Sequence, residues 1–110
     1  MPSATTTAPP VPLSTPITAS RFSDALTTLP LSALYAKAAE LRNSIAHLQR
    51  SNAELEDYIR AHDADADADD NDRECYEALL ENKDVVARFA ERIALVRREV
   101  EDVRGLPWRE

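Results

Sequence analysis

Apolar residues recur along this chain in two long series, each stepping alternately by three and by four residues. With Leu31 at heptad position a, the first series places Leu31, Ala38, Ile45, Asn52 and Ile59 at a, and Leu34, Leu41, Leu48 and Leu55 at d. The second runs Cys75, Leu79, Asn82, Val86, Phe89, Ile93, Val96, Val100 and Val103. A repeat of this period makes a continuous apolar seam on an amphipathic helix, which must be covered by another helix. The spacing predicts helix 1 over 31–61 and helix 2 over 74–104, separated by an acidic connector over 62–73. Gly105, Leu106 and Pro107 read as the stop of helix 2, because glycine readily takes the left-handed conformation that closes a helix. Upstream, Phe22, Leu26 and Leu29 share helical spacing, predicting a short helical lead-in over 20–30 that Pro30 ends.

The two seams are complementary. Folding the chain about the connector pairs residues whose numbers have a constant sum, from Ile59 with Cys75 and Leu55 with Leu79 to Leu34 with Val100 and Leu31 with Val103. The pairs alternate a-to-d and d-to-a, as helices running in opposite directions require. The only polar seam residues, Asn52 and Asn82, fall opposite each other, where their amides can satisfy one another and fix the register. Flanking the seam, Lys37 is expected to face Glu99, and Tyr35 to face Arg97 in a cation–π contact. The fold class expected is all-α, an antiparallel two-helix coiled-coil hairpin with a disordered N-terminal tail, monomeric when free. Each arm has ~30 residues and a length of roughly 45 Å at ~1.5 Å per residue.

Composition narrows the function. Aromatics make up 5% of the 110 residues, so any core is thin, and a two-helix pair of this kind gains order from binding a partner. A single Gly excludes Gly-rich phosphate loops, and a single Cys excludes a disulfide framework or multi-Cys zinc site. The net charge is −7, and six of the acidic groups lie in DADADADDND, residues 63–72, leaving nearly neutral arms. Nucleic acid is a poor partner, because no basic patch offsets phosphate charge. No apolar run approaches the ~20 residues that span a bilayer. Residues 1–19 carry Pro, Thr, Ser and Ala without charge, predicting a disordered tail with neither signal-peptide nor transit-peptide pattern. The expected location is cytoplasmic, with a nuclear one also open, and residues 105–110 are read as a C-terminal tail.

Candidate chemistry is sparse. Asp63, Asp65, Asp67, Asp69, Asn71 and Glu74 fall at the ligand spacing of a calcium loop, but Ala68 stands where that loop needs Gly, and an Asp-Ala run gives the spacing by period alone. The connector is read as a solvated, self-repelling segment. His47 lies outside the seam, His62 at the connector's edge, and Cys75 on the seam as a small hydrophobe. The expectation is no catalytic set, no cofactor, no metal and no enzyme.

What remains is surface. In an antiparallel pair the b and e positions of both helices line one side. There the first helix has Tyr35, Ala39, Arg42, Ala46, Gln49 and Ala53, and the second Tyr76, Leu80, Lys83, Ala87, Ala90 and Ala94. Small residues admit a further helix closely, so this alanine-lined side is a candidate groove for a partner helix. An alternative polar face carries Asn43, His47, Arg50 and Ser51.

The stretch NSIAHLQRSNAELEDYI, residues 43–59, followed by an acidic connector, Glu81–Asn82 and Glu91–Arg92, resembles the fungal ATPase-dedicated chaperones, also described as translation-machinery-associated proteins. The resemblance covers about residues 30 to 104. It implies a stress-responsive assembly chaperone that binds the N-terminal coiled-coil region of one proteasomal ATPase subunit of the 19S regulatory particle and promotes its pairing with the neighbouring ATPase. Ribosome association is a further implication of the family. The competing expectation is a prefoldin-like coiled-coil holdase or a general coiled-coil adaptor.

Overall fold

The computed structural model describes residues 17–62 and 70–109. Residues 1–16 of the N-terminal tail and 63–69 of the acidic connector, with Asp63, Asp65, Asp67 and Asp69, lie outside the described residues. Among the described residues the fold is all-helical: α1 (Ala19–Leu26), α2 (Leu31–His62) and α3 (Asp70–Arg98), the last continued by a π-helical turn over Glu99–Val103. No helix here is long and apolar enough to cross a membrane. Helix α3 starts at Asp70, earlier than the expected 74. The sequence there is acidic, which suits a helix amino terminus and its positive dipole end.

Local chemistry sets the element boundaries. Thr18 caps α1, its Oγ1 accepting from the Arg21 amide at 3.2 Å. Pro30 has no amide to donate, so α1 cannot run through it. Its carbonyl instead accepts from the amides of Ala33 and Leu34 and opens α2. At the far end the Arg104 amide donates to the Glu99 carbonyl at 3.0 Å, the five-residue step of a π turn. Leu106 then donates to the Val100 carbonyl at 2.9 Å, with Gly105 at φ 66°. That closure needs the left-handed conformation, which only glycine takes without a steric penalty.

The core is gathered where α2 begins and α3 ends. Leu34 and Ala38 of α2 meet Val96 of α3 and Val100 of the π turn, all four fully buried. The fifth member is Leu26 of α1, 2% exposed, with Phe22, Leu29, Leu95 and Trp108 packed around the cluster. Each buried Leu or Val of this set contributes on the order of 1.5–3 kcal/mol, and Ala38 less. A two-helix core is therefore a correction: the short lead-in is a third helix inside the hydrophobic cluster. Farther along, Leu41, Leu79 and Asn52 are buried, but Ile45, Leu48, Leu55, Ile59, Cys75, Val86, Phe89 and Ile93 are only half-buried. Two helices cannot enclose one seam from both sides.

The expected seam fails at its ends. Leu31 is 38% and Val103 is 64% exposed, so this pair does not close the core. The π turn supplies the reason, since its extra residue rotates the chain beyond it and carries Val103 off the seam. The same rotation brings Arg104 onto α1. Arg104 Nε donates to the Glu99 carboxylate at 2.9 Å, while Nη2 donates to the carbonyls of Leu26 at 3.0 Å and Leu29 at 2.6 Å. Leu26 ends α1 and Leu29 follows it by three residues; the Leu26 carbonyl also accepts from the Leu29 amide at 3.1 Å, so the guanidinium adds a second donor there and supplies one to the Leu29 carbonyl. Glu99 is consequently turned to Arg104 and not to Lys37, which pairs with Glu40 at 3.6 Å.

The Asn pair is also corrected. Asn52 is buried, but its Oδ1 has no hydrogen-bond partner, so the half-buried Asn82 does not donate to it. A buried acceptor left unmade costs about 1–3 kcal/mol. Asn52→Leu should accordingly raise the melting temperature, while size-exclusion chromatography with light scattering tests whether the register loosens into oligomers. A lower melting temperature would contradict the unsatisfied acceptor. For Arg104→Ala we expect a loss of about 3 kcal/mol, because Glu99 is left as a buried unpaired charge. Adding Glu99→Gln should recover part of that loss in urea denaturation; an unchanged midpoint in the single variant would contradict the clamp.

Candidate functional site

The alanines at b and e positions fall on one side of the α2–α3 pair because helix residues three and four apart share a face. Ala39, Ala46 and Ala53 of α2 are exposed, as are Ala87, Ala90 and Ala94 of α3. Near the connector end Tyr76 and Leu80 are each 54% exposed, large apolar groups left in solvent. Midway, a cleft is lined by Gln49, Asn52, Glu56, Lys83 and Val86. The buried, unpartnered Asn52 thus lines the same side as the alanines.

Helix α1 does not lie on this side. Its Phe22 ring packs under the Arg92 guanidinium at 5.2 Å, and Arg92 Nη2 donates to the Ile17 carbonyl. Both contacts sit on the flank that carries Lys37 and Arg88, where Leu41 and Phe89 floor a shallow pocket. Among the described residues, the chain covers this flank near the base and leaves the alanine flank open along most of its length.

At its other end the alanine flank is closed by the C-terminal segment. An unbroken heptad would set Tyr35 against Arg97, but Arg97 instead bonds Glu101 at 2.9 Å. The Tyr35 ring stacks on Trp108 with centroids 4.7 Å apart and planes inclined by 23°. Its hydroxyl accepts from the Arg109 amide at 2.8 Å and donates to the Pro107 carbonyl at 3.3 Å. Arg42 lies over the other part of this set, 5.9 Å from the Trp108 ring centre. Gly105 makes the reversal that lets Leu106–Arg109 return along α2.

The polar candidates are placed elsewhere. Asn43, His47 and Arg50 are exposed at outer positions of α2, and Ser51 is half-buried. They form no joint site with the alanines. Asn71 and Glu74 lie in α3, while the remaining calcium-loop positions lie outside the described residues. Among the described residues no three His, Cys, Asp or Glu groups gather as a metal-holding set. Trp108 is the residue that sequence reasoning did not place. It comes after the end of the periodic pattern, and only the glycine stop hinted that the chain turns back.

No curated protein and no solved structure matches this chain. A family model described as the TMA17 helical domain matches residues 18–108, from the cap residue of α1 to Trp108. The matched stretch takes in all three helices and the returning segment, so the chain belongs to the TMA17 helical domain family.

Proposed function

We propose that this protein is an assembly chaperone of the proteasome. In this reading α2 and α3 act as an antiparallel coiled-coil hairpin that holds the N-terminal coiled-coil helix of one 19S ATPase subunit on its alanine side and promotes pairing of that ATPase with its neighbour. The protein works by binding, without catalysis or cofactor, as a stress-responsive factor of the cytoplasm and nucleus that is monomeric when free and, on the family resemblance, associates with ribosomes. Membership of the TMA17 helical domain family supports the chaperone role.

The observation that carries the site is the incomplete burial of the seam. Val86 is half-buried in the cleft of the alanine side, and Ile45 and Leu48 are half-buried in the same seam, beside a strip of exposed alanines. A third helix laid on that strip would cover them at close range, because alanine keeps no bulk between the backbones. Such a contact raises affinity through apolar burial and, at the same time, stabilises the far half of the arms.

Purified N-terminal segments of the 19S ATPase subunits, titrated against the full chain, test this reading. Wild type should retain one of them, and Ala46→Glu and Ala90→Glu should each weaken that binding at least ~10-fold, about 1.4 kcal/mol, without loss of helicity by circular dichroism. Undiminished binding would shift the site to Asn43, His47 and Arg50. Retention of unfolded model substrates in place of every ATPase segment would support a prefoldin-like holdase instead.

A further inference from the structure

The returning segment Leu106–Arg109 shapes the end of the same open side, and it contains the chain's only tryptophan. Trp108 is half-buried, stacked on Tyr35 and overlain by Arg42, with Tyr35 bonded to the backbone on both sides of it. The backbone on either side of it is thus held by two hydrogen bonds of Tyr35 and its ring by two ring contacts, at little further entropic cost on binding. Rigid, partly exposed aromatic groups beside an arginine are the residue types that dominate binding energy in protein interfaces. A second feature of the side points to a ligand independently: Asn52 is 7% exposed, its Oδ1 lacks a partner, and it lines the cleft between Gln49 and Lys83.

We infer that Trp108 is the aromatic anchor of the helix-docking side, and that the helix it takes is amphipathic, with large apolar side chains against the alanines and a hydrogen-bond donor at the Asn52 cleft. This rests on the docking reading above and adds the anchor and the chemistry of the occupant. The chemistry comes from complementarity. Small residues on one surface fit large ones on the other, and an unmade acceptor fits a donor. The spacing also gives a direction of reading, since Trp108 and Tyr35 stand at one end, the Asn52 cleft in the middle and Tyr76 with Leu80 at the other.

The test uses the full chain and Trp-free N-terminal segments of the 19S ATPase subunits. Trp108 emission should shift on titration and saturate with binding measured by anisotropy of a labelled segment. Trp108→Ala should weaken binding about tenfold and Trp108→Phe, which keeps a ring on Tyr35, about threefold, with melting curves confirming that both variants fold. Unchanged Trp108 emission during binding would overturn the inference, as would tighter binding by Trp108→Ala, which would make the segment a cover and not an anchor. Loss of binding in Ala46→Glu with full binding in both Trp108 variants would defeat this inference alone. Failure of every segment to bind wild type would defeat the docking reading and this inference together.

Discussion

The arrangement of this small protein depends on one guanidinium. Arg104 joins a buried carboxylate, Glu99, to the carbonyls of Leu26 and Leu29, and so fastens the end of α1 to the end of the α3 arm. A helix of eight residues has little stability of its own. The carbonyl of its last residue, Leu26, and that of Leu29 beyond it both take a donor from this one planar group, which ties the helix end to the π turn. Arg104 reaches them only because the π turn over Glu99–Val103 shifts the side-chain phase after Val96 and Val100 have been placed in the core. The wide turn that removes Val103 from the seam is therefore what allows Leu26 to enter it.

This clamp divides the molecule into unequal halves. At the base, three helices and the returning segment surround Leu34, Ala38, Val96 and Val100. Toward the connector, two helices share a seam that is mostly half-buried, with an unsatisfied amide oxygen at Asn52. Free energy of folding is thus concentrated at one end, and the open alanine side runs from that firm end out along the weaker one. A partner helix seated there would find a fixed platform at Tyr35 and Trp108 and would supply apolar cover farther out. The same geometry explains why α1 does not compete for the site, since Phe22 and Arg92 hold it to the opposite flank.

Much of this was legible from the chain, for physical reasons that differ by element. The long helices and the buried positions Leu34, Ala38, Leu41, Asn52, Leu79, Val96 and Val100 come from a 3.5-residue period, a signal carried by many residues at once. Gly105 was legible because one backbone conformation demanded it. The third helix was only half visible: Phe22, Leu26 and Leu29 have the right spacing, but nothing local shows that Leu26 is buried against Val100. The pairings of Lys37 with Glu99 and Tyr35 with Arg97 failed because both assumed an unbroken heptad, and neither the π turn nor the return of Trp108 leaves a periodic trace. The alanine side was visible as a pattern, yet its closed end was not.

A partner helix seated on the alanine side would shield Ala90 and leave the outer face of α2 untouched. Site-directed spin labelling tests it most directly, with Cys75→Ser as background and a single label at either Ala90 or His47, on opposite faces of the pair. On addition of the bound ATPase segment, the label at Ala90 should become immobilised and shielded from a soluble relaxation agent, while the label at His47 stays unaffected. Immobilisation at His47 with a freely accessible label at Ala90 would contradict it.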